Sequence, residues 1–480
     1  PRRIPARHHH RERGRAAMKV LSFAPRLTLA RLRARTGNAW LDILAVLSFT
    51  LAATMALTIA GGIFMFYNWN FHPSLAMAAH LEALSETMGA GLTEMYLGLA
   101  LFAGALLVIP ISSLASGAAR LGAQDRSQRL ASLRLVGTTR SQTIAISLCE
   151  TVVQWLLGTA LGTVLYLVTL PGWRALSFLG LPINPAQMLL PVPFIAAVIA
   201  LLFVVTLVSA LGGLMRVSIS PLGVARRETP RALRAWRLGV LVVAGIMYVL
   251  VANARGGSTP IVQIVMMAGV LLVFLFALSV AASFIIQALA YPLTRSRRAS
   301  LLMAARRILN DPRAVWRSVS TLALLCFIGG YTSTLPERSG SDSVAIRLVS
   351  ADIGTGVMVT LGFGFAVVAL SSLTNHASLV FESAQQTQSL RFLGFPTAVF
   401  TRIRILQTFI PLVVTTALTT ALGVGMSLMT NYSWGARLDT AAFTKLGIIT
   451  VLGLAMCLVS ILVVTPLETR VVLARGRAND

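Results

Sequence analysis

The amino-acid sequence predicts an all-α integral membrane protein with ten transmembrane helices, arranged as two parallel four-span repeats joined by a two-span hairpin. Three observations lead there: a shortage of charge, long apolar runs along the whole chain, and a segment that occurs twice. Of 480 residues, 56% are hydrophobic and 12% charged, against about 25% charged in an ordinary soluble domain. Crossing a hydrocarbon core of about 30 Å takes roughly 20 helical residues. A helix suits that environment because it satisfies its own backbone polar groups.

Hydropathy predicts spans over residues 41–66, 95–118, 143–169, 187–215 and 238–253, then 261–290, 318–335, 353–375, 405–430 and 446–466. The fifth is the shortest. The net charge of +25 raises the question of nucleic acid, and its distribution answers it. With the N-terminus in the cytoplasm, 35 of the 41 Lys and Arg residues fall in cytoplasmic segments, and Arg174, Arg255, Arg338, Arg347, Arg437 and Lys445 fall outside. That asymmetry follows the positive-inside rule and predicts both termini in the cytoplasm. These arginines orient helices and meet anionic headgroups, so membrane lipid is the expected partner and nucleic acid is not. Met18 is the expected natural start, and span one is too long for a signal-peptide core. Cys149, Cys326 and Cys457 all lie inside spans, where a free thiol acts as a small apolar filler.

Ser132-Leu133-Arg134-Leu135-Val136-Gly137 returns 257 residues later as Ser389-Leu390-Arg391-Phe392-Leu393-Gly394. Carried forward, this offset pairs Glu150 with Gln407; carried backward with a two-residue adjustment, it pairs Ser112-Ser113-Leu114 with Ser371-Ser372-Leu373. Arg31 through Trp40 match Arg307 through Trp316 at a constant offset, each as a basic amphipathic stretch entering a span. Such a stretch is expected at the inner interface, with Trp at headgroup level. The chain therefore divides into a basic N-terminal segment with an interfacial helix (1–36), a first repeat (37–220), a linking hairpin (238–290) and a second repeat (299–470). Both ends of each repeat are cytoplasmic, which makes the repeats parallel rather than inverted.

The surface loop after span two carries Leu130, Leu133, Leu135 and Val136 among Arg126, Arg129, Arg134 and Arg140. An apolar ridge with basic flanks suits a groove on a protein partner. The plainer alternative is a basic helix lying on lipid headgroups.

Both halves resemble the FtsX-like permease family, the membrane subunits of MacB-type ABC transporters. Three features carry the resemblance: the basic helix entering the first span, the S-L-R-apolar-apolar-G segment between the second and third spans, and the polar residue thirteen positions after its glycine. In the first half Thr138-Thr139-Arg140-Ser141-Gln142 follow the motif, then Glu150 and the glycines Gly158 and Gly162; in the second, Phe395-Pro396 and Gln407 depart from the usual run. The resemblance implies that Leu133, Arg134, Leu135, Val136 and Gly137, with Leu390, Arg391, Phe392, Leu393 and Gly394, dock ABC-type ATPase subunits. Two docking segments imply two copies.

The chain itself is not expected to be an enzyme. A phosphate-binding loop needs G-x-x-x-x-G-K-[ST], and the two lysines, Lys19 and Lys445, do not follow a glycine. No catalytic or metal-ligating set is expected, and no cofactor is bound by this chain; ATP and Mg belong to the partner ATPase.

Family members often carry a large extracytoplasmic domain between the first two spans of a repeat, whereas the outer connections here, 67–94 and 336–352, are short. The first holds Tyr67, Trp69, Phe71 and His72, followed by Glu82, Glu86 and Glu94. Trp69, Phe71, Glu82 and Glu86 are candidates to line an acidic, aromatic opening for cationic amphiphilic peptides; an aromatic belt with a short interfacial helix is the favoured reading. Glu150, with Gln407 as its counterpart, is expected to transmit motion from the docking segment into span three. The expected function is the permease of a complex that exports an amphiphilic substrate, or extracts it from the outer leaflet of a bacterial cytoplasmic membrane. Peptide antibiotics, lipids and lipopeptides fit, and antimicrobial-peptide resistance would follow. The alternative is a non-transporting relay that regulates a cell-wall hydrolase or sensor kinase.

Overall fold

A computed structural model of the chain describes residues 39–88, 91–135, 140–218, 235–254, 260–334, 344–392, 397–431, 444, 446–460 and 462–463. Among these, nine helices are long and apolar enough to cross a membrane, consistent with an all-α membrane protein. They belong to α1 (Ala39–Phe71), α3 (Leu92–Leu135), α4 (Arg140–Thr169), α6 (Val192–Ser218), α7 (Trp236–Asn253), α8 (Pro260–Leu293), α10 (Pro312–Ser333), α11 (Val344–Phe392) and α12 (Thr397–Asn431). Where the sequence predicts a tenth span, the structure holds a shorter apolar helix, α13 (Leu446–Ser460). Shorter elements complete the chain: α2 (Leu75–Met88), a 3-10 turn (Leu170–Ala175), the hairpin strands β1 (Ser177–Phe178) and β2 (Leu181–Pro182), α5 (Pro185–Met188) and α9 (Ala299–Asn310).

The largest departure from the predicted elements lies after span two. Residues expected as a surface loop continue the helix, so α3 runs for 44 residues, about 66 Å, and α11 for 49, about 74 Å. Their apolar parts end at Leu121 and Ala377. Each then projects as a stalk about 21 Å long. The reason is compositional: Ala, Leu, Arg and Gln dominate Ala118–Leu135, and the run holds no proline.

The basic stretch 307–316 is also divided. α9 ends at Asn310, and Asp311 caps α10 by accepting from the Ala314 N–H at 2.9 Å, with Pro312 in the first helical position. Trp316 therefore packs in the core with Val315 and Val319 rather than at headgroup level. The matching residues Arg31 to Asn38 lie outside the described residues.

The two repeats pack alike. In the first, α1 lies against α3 and α4; in the second, α10 lies against α11 and α12. Close approach is permitted by small residues, as in other membrane helix pairs. A Cβ on Gly162 would stand 2.7 Å from Ala53 Cβ and from the Thr50 carbonyl oxygen, and one on Gly330 would stand 2.6 Å from the Thr420 carbonyl oxygen. Between the repeats, α3 packs along α11, Gly117 lies beside Thr374 and Asn375, and the Ser48 and Thr374 hydroxyls are 3.1 Å apart.

The linking hairpin is part of this core. α8 packs on α3, α9 and α10, with Phe274 against Phe327 at 5.6 Å, and the α7 residue Tyr248 places its hydroxyl 3.2 Å from that of Tyr331.

Candidate functional site

The repeated S-L-R segment, expected to dock a partner, begins at the ends of the described parts of α3 and α11. Leu133, Arg134 and Leu135 form the last residues of α3, and Leu390, Arg391 and Phe392 the last residues of α11. Val136, Gly137, Leu393 and Gly394 lie outside the described residues. The next helices open at Arg140 and Thr397. Leu135 and Phe392 lie 257 residues apart, so the helix reaches repeat-equivalent residues in both halves.

Glu150 lies ten residues into α4, about 15 Å from its start, and its side chain is buried. It belongs to a larger polar group. One turn further on, Gln154 donates from Nε2 to Asp42 Oδ1 of α1 at 2.8 Å, and all three residues are buried. Asp42 sits in the first turn of α1, where the helix dipole favours a carboxylate. The second repeat keeps little of this. Gln407 is half-buried on α12, Gln154 corresponds to Pro411, and Asp42 corresponds to Ser318 at the offset that relates Trp40 to Trp316. Thr151 and its counterpart Thr408 are both buried. The sequence reading missed Asp42 because it falls at the edge of a basic segment, and Gln154 because a single amide in a span carries little signal.

At the opposite, cap end, the connections of the first repeat fold together around Phe66, Tyr96, Phe178, Leu179 and Met188. The Tyr166 hydroxyl donates to the Met188 carbonyl at 2.6 Å and accepts from the Leu190 N–H at 3.1 Å, which pins this layer to α4. Trp69, expected on the outer face, is 4% exposed, and its Nε1–H donates to Gln187 Oε1 at 3.1 Å. It packs edge-on against Phe66 at 5.2 Å, so it is part of the cap rather than of an opening. Phe71 is 48% exposed and stacks on Tyr67 at 4.7 Å; Glu82 is exposed, and Glu86 lies on α2 with its side chain outside the described residues.

The β1–β2 turn carries two residues of positive φ, Leu179 at 55° and Gly180 at 76°. Two-residue turns of this hand normally take Asn or Gly, and a leucine there costs about 1–2 kcal/mol. Leu179 is buried; its carbonyl lies 2.9 Å from His80 Nε2, and its N–H donates to Asp352 Oδ2 of α11 at 2.7 Å. The Tyr96 hydroxyl donates to the same Asp352 oxygen. Asp352 precedes the predicted eighth span by one residue, which is why hydropathy alone passed over it. Among the described residues no group of three His, Cys, Asp or Glu side chains could hold a metal ion. In comparison with known proteins, no family model and no curated protein matches this chain.

Proposed function

We propose that the chain is the permease subunit of an ATP-driven complex of the FtsX-like, MacB-type kind, spanning a bacterial cytoplasmic membrane ten times with both termini in the cytoplasm. The observation that supports this reading is the pair of long helices α3 and α11, each of which continues as helix beyond its apolar part as far as the repeat-equivalent residues Leu135 and Phe392, 257 residues apart. A rigid helix continuous from stalk tip to span is a lever. Force applied at Leu135 or Phe392 by a partner reaches the centre of the molecule, where α3 and α11 pack against each other. Two partner ATPases closing on ATP would move both stalks and rock one repeat against the other. The buried pair Gln154 and Asp42 couples the helix that follows the first stalk to α1, one turn beyond Glu150. The substrate class this favours is an amphiphile handled at the outer leaflet, since the mechanism requires no continuous aqueous path.

The test is gentle purification of the full chain from its own membranes, unmodified and with Leu135→Asp plus Leu393→Asp. The expected outcome is an ABC-type ATPase that copurifies with the first and not with the second. Intact protein without any ATPase in either sample ends the permease reading.

A further inference from the structure

At the cap end one buried carboxylate crosses between the two repeats, beside the apolar contact of Trp173 with Phe363. Asp352 of α11 is 5% exposed, and its Oδ2 accepts from two groups of the first repeat, the Tyr96 hydroxyl and the Leu179 N–H. A carboxylate taken out of water at the end of a membrane span is costly unless its hydrogen bonds are met, and here they are met across the boundary between the repeats. Leu179 is the residue forced to positive φ, and it is gripped on both sides, by Asp352 at its N–H and by His80 at its carbonyl. Strained backbone persists where its surroundings over-determine it, and it relaxes when they let go. Apolar packing alone would have joined these surfaces with no strain and no buried charge.

We propose that Asp352 is a clasp: it holds the strained β1–β2 turn of the first repeat against α11 of the second, and its release opens the cap end. Freed from Asp352, Leu179 relaxes, and the layer around Phe66, Tyr96 and Phe178 parts from α11. The clasp gives the rocking motion of the previous section a closed resting position, and in supposing that the repeats move it rests on that reading.

The experiment measures a distance across the boundary by pulsed electron paramagnetic resonance, on the full chain in lipid nanodiscs with Cys149, Cys326 and Cys457 replaced by Ala. Spin labels go on Ala175→Cys and Gly354→Cys, both exposed and on opposite sides of the clasp. The parent is expected to give one narrow distance, and Asp352→Ala a second, longer one. Tyr96→Phe keeps the ring and removes one donor, so a smaller longer-distance fraction is expected; Leu179→Gly removes the strain and keeps the N–H, so it should remain narrow. If Asp352→Ala and Tyr96→Phe both reproduce the parent distribution, the clasp holds nothing and the proposal falls. The stalk tips are far from these changes, so ATPase copurification is expected to be unaltered. Failure of the clasp is thereby separated from failure of the permease reading.

Discussion

The first and second repeats share a long helix that runs past its apolar part, and they differ in what surrounds the helices. In the most apolar stretch of α10, 89% of residues are buried, against 50% in its counterpart α1. The linking hairpin explains the difference: Ala282, Ile286 and Ala290 of α8 join Val315, Val319 and Ala323 of α10 in one cluster, whereas Ile43 and Leu47 of α1 remain exposed. At the cap end the residues between α1 and α3 and between α4 and α6 form a packed layer of their own. Two similar helix groups are thus stabilised differently, α10 by a neighbouring hairpin and α1 by the chain's own connections.

The comparison breaks most visibly at the stalks. If both tips dock equally, Leu135→Asp alone and Leu393→Asp alone should each remove about half of the copurifying ATPase, as read by stoichiometry in a size-exclusion complex; loss of all of it from one variant would show unequal sites. Next in size, Trp69→Ala should lower stability by about 3–5 kcal/mol, the range for a buried large aromatic, while Phe71→Ala two residues away changes it by less than about 0.5 kcal/mol. Thermal unfolding in a fixed detergent checks the pair, and equal effects would contradict the packed cap. A third contrast sets Gly162→Val against Gly212→Val. The first drives a side chain into Ala53 and the Thr50 carbonyl and should cost about 1–3 kcal/mol; the second meets nothing within 4 Å. The smallest effect is expected at the hairpin, where Tyr248→Phe removes the hydroxyl facing Tyr331 and should cost about 1 kcal/mol.

Much of the architecture was legible because hydropathy and repetition are properties of a continuous stretch. Nine of the ten predicted spans coincide with long apolar helices, with edges shifted by a few residues, as where α1 runs on to Phe71. The stalks were misread as loop because polarity was taken as an end to the helix. Ala118 to Leu135 loses its apolar character and keeps its helix-forming residues. Trp316 and Trp69 were placed at interfaces by residue type, and both are buried, because an aromatic near a span end serves a belt or a core depending on which helix covers it.

The sequence by itself determined the helical membrane class of the molecule, the place of most spans and the scarcity of charge within them. These depend on composition and on neighbours a few residues apart. Only the tertiary structure decided which polar groups meet. Gln154 reaches Asp42 across 112 residues, Leu179 reaches Asp352 across 173, and Tyr96 reaches the same carboxylate across 256. A buried carboxylate is tolerated where donors from other helices converge on it, and convergence is a matter of how the helices pack.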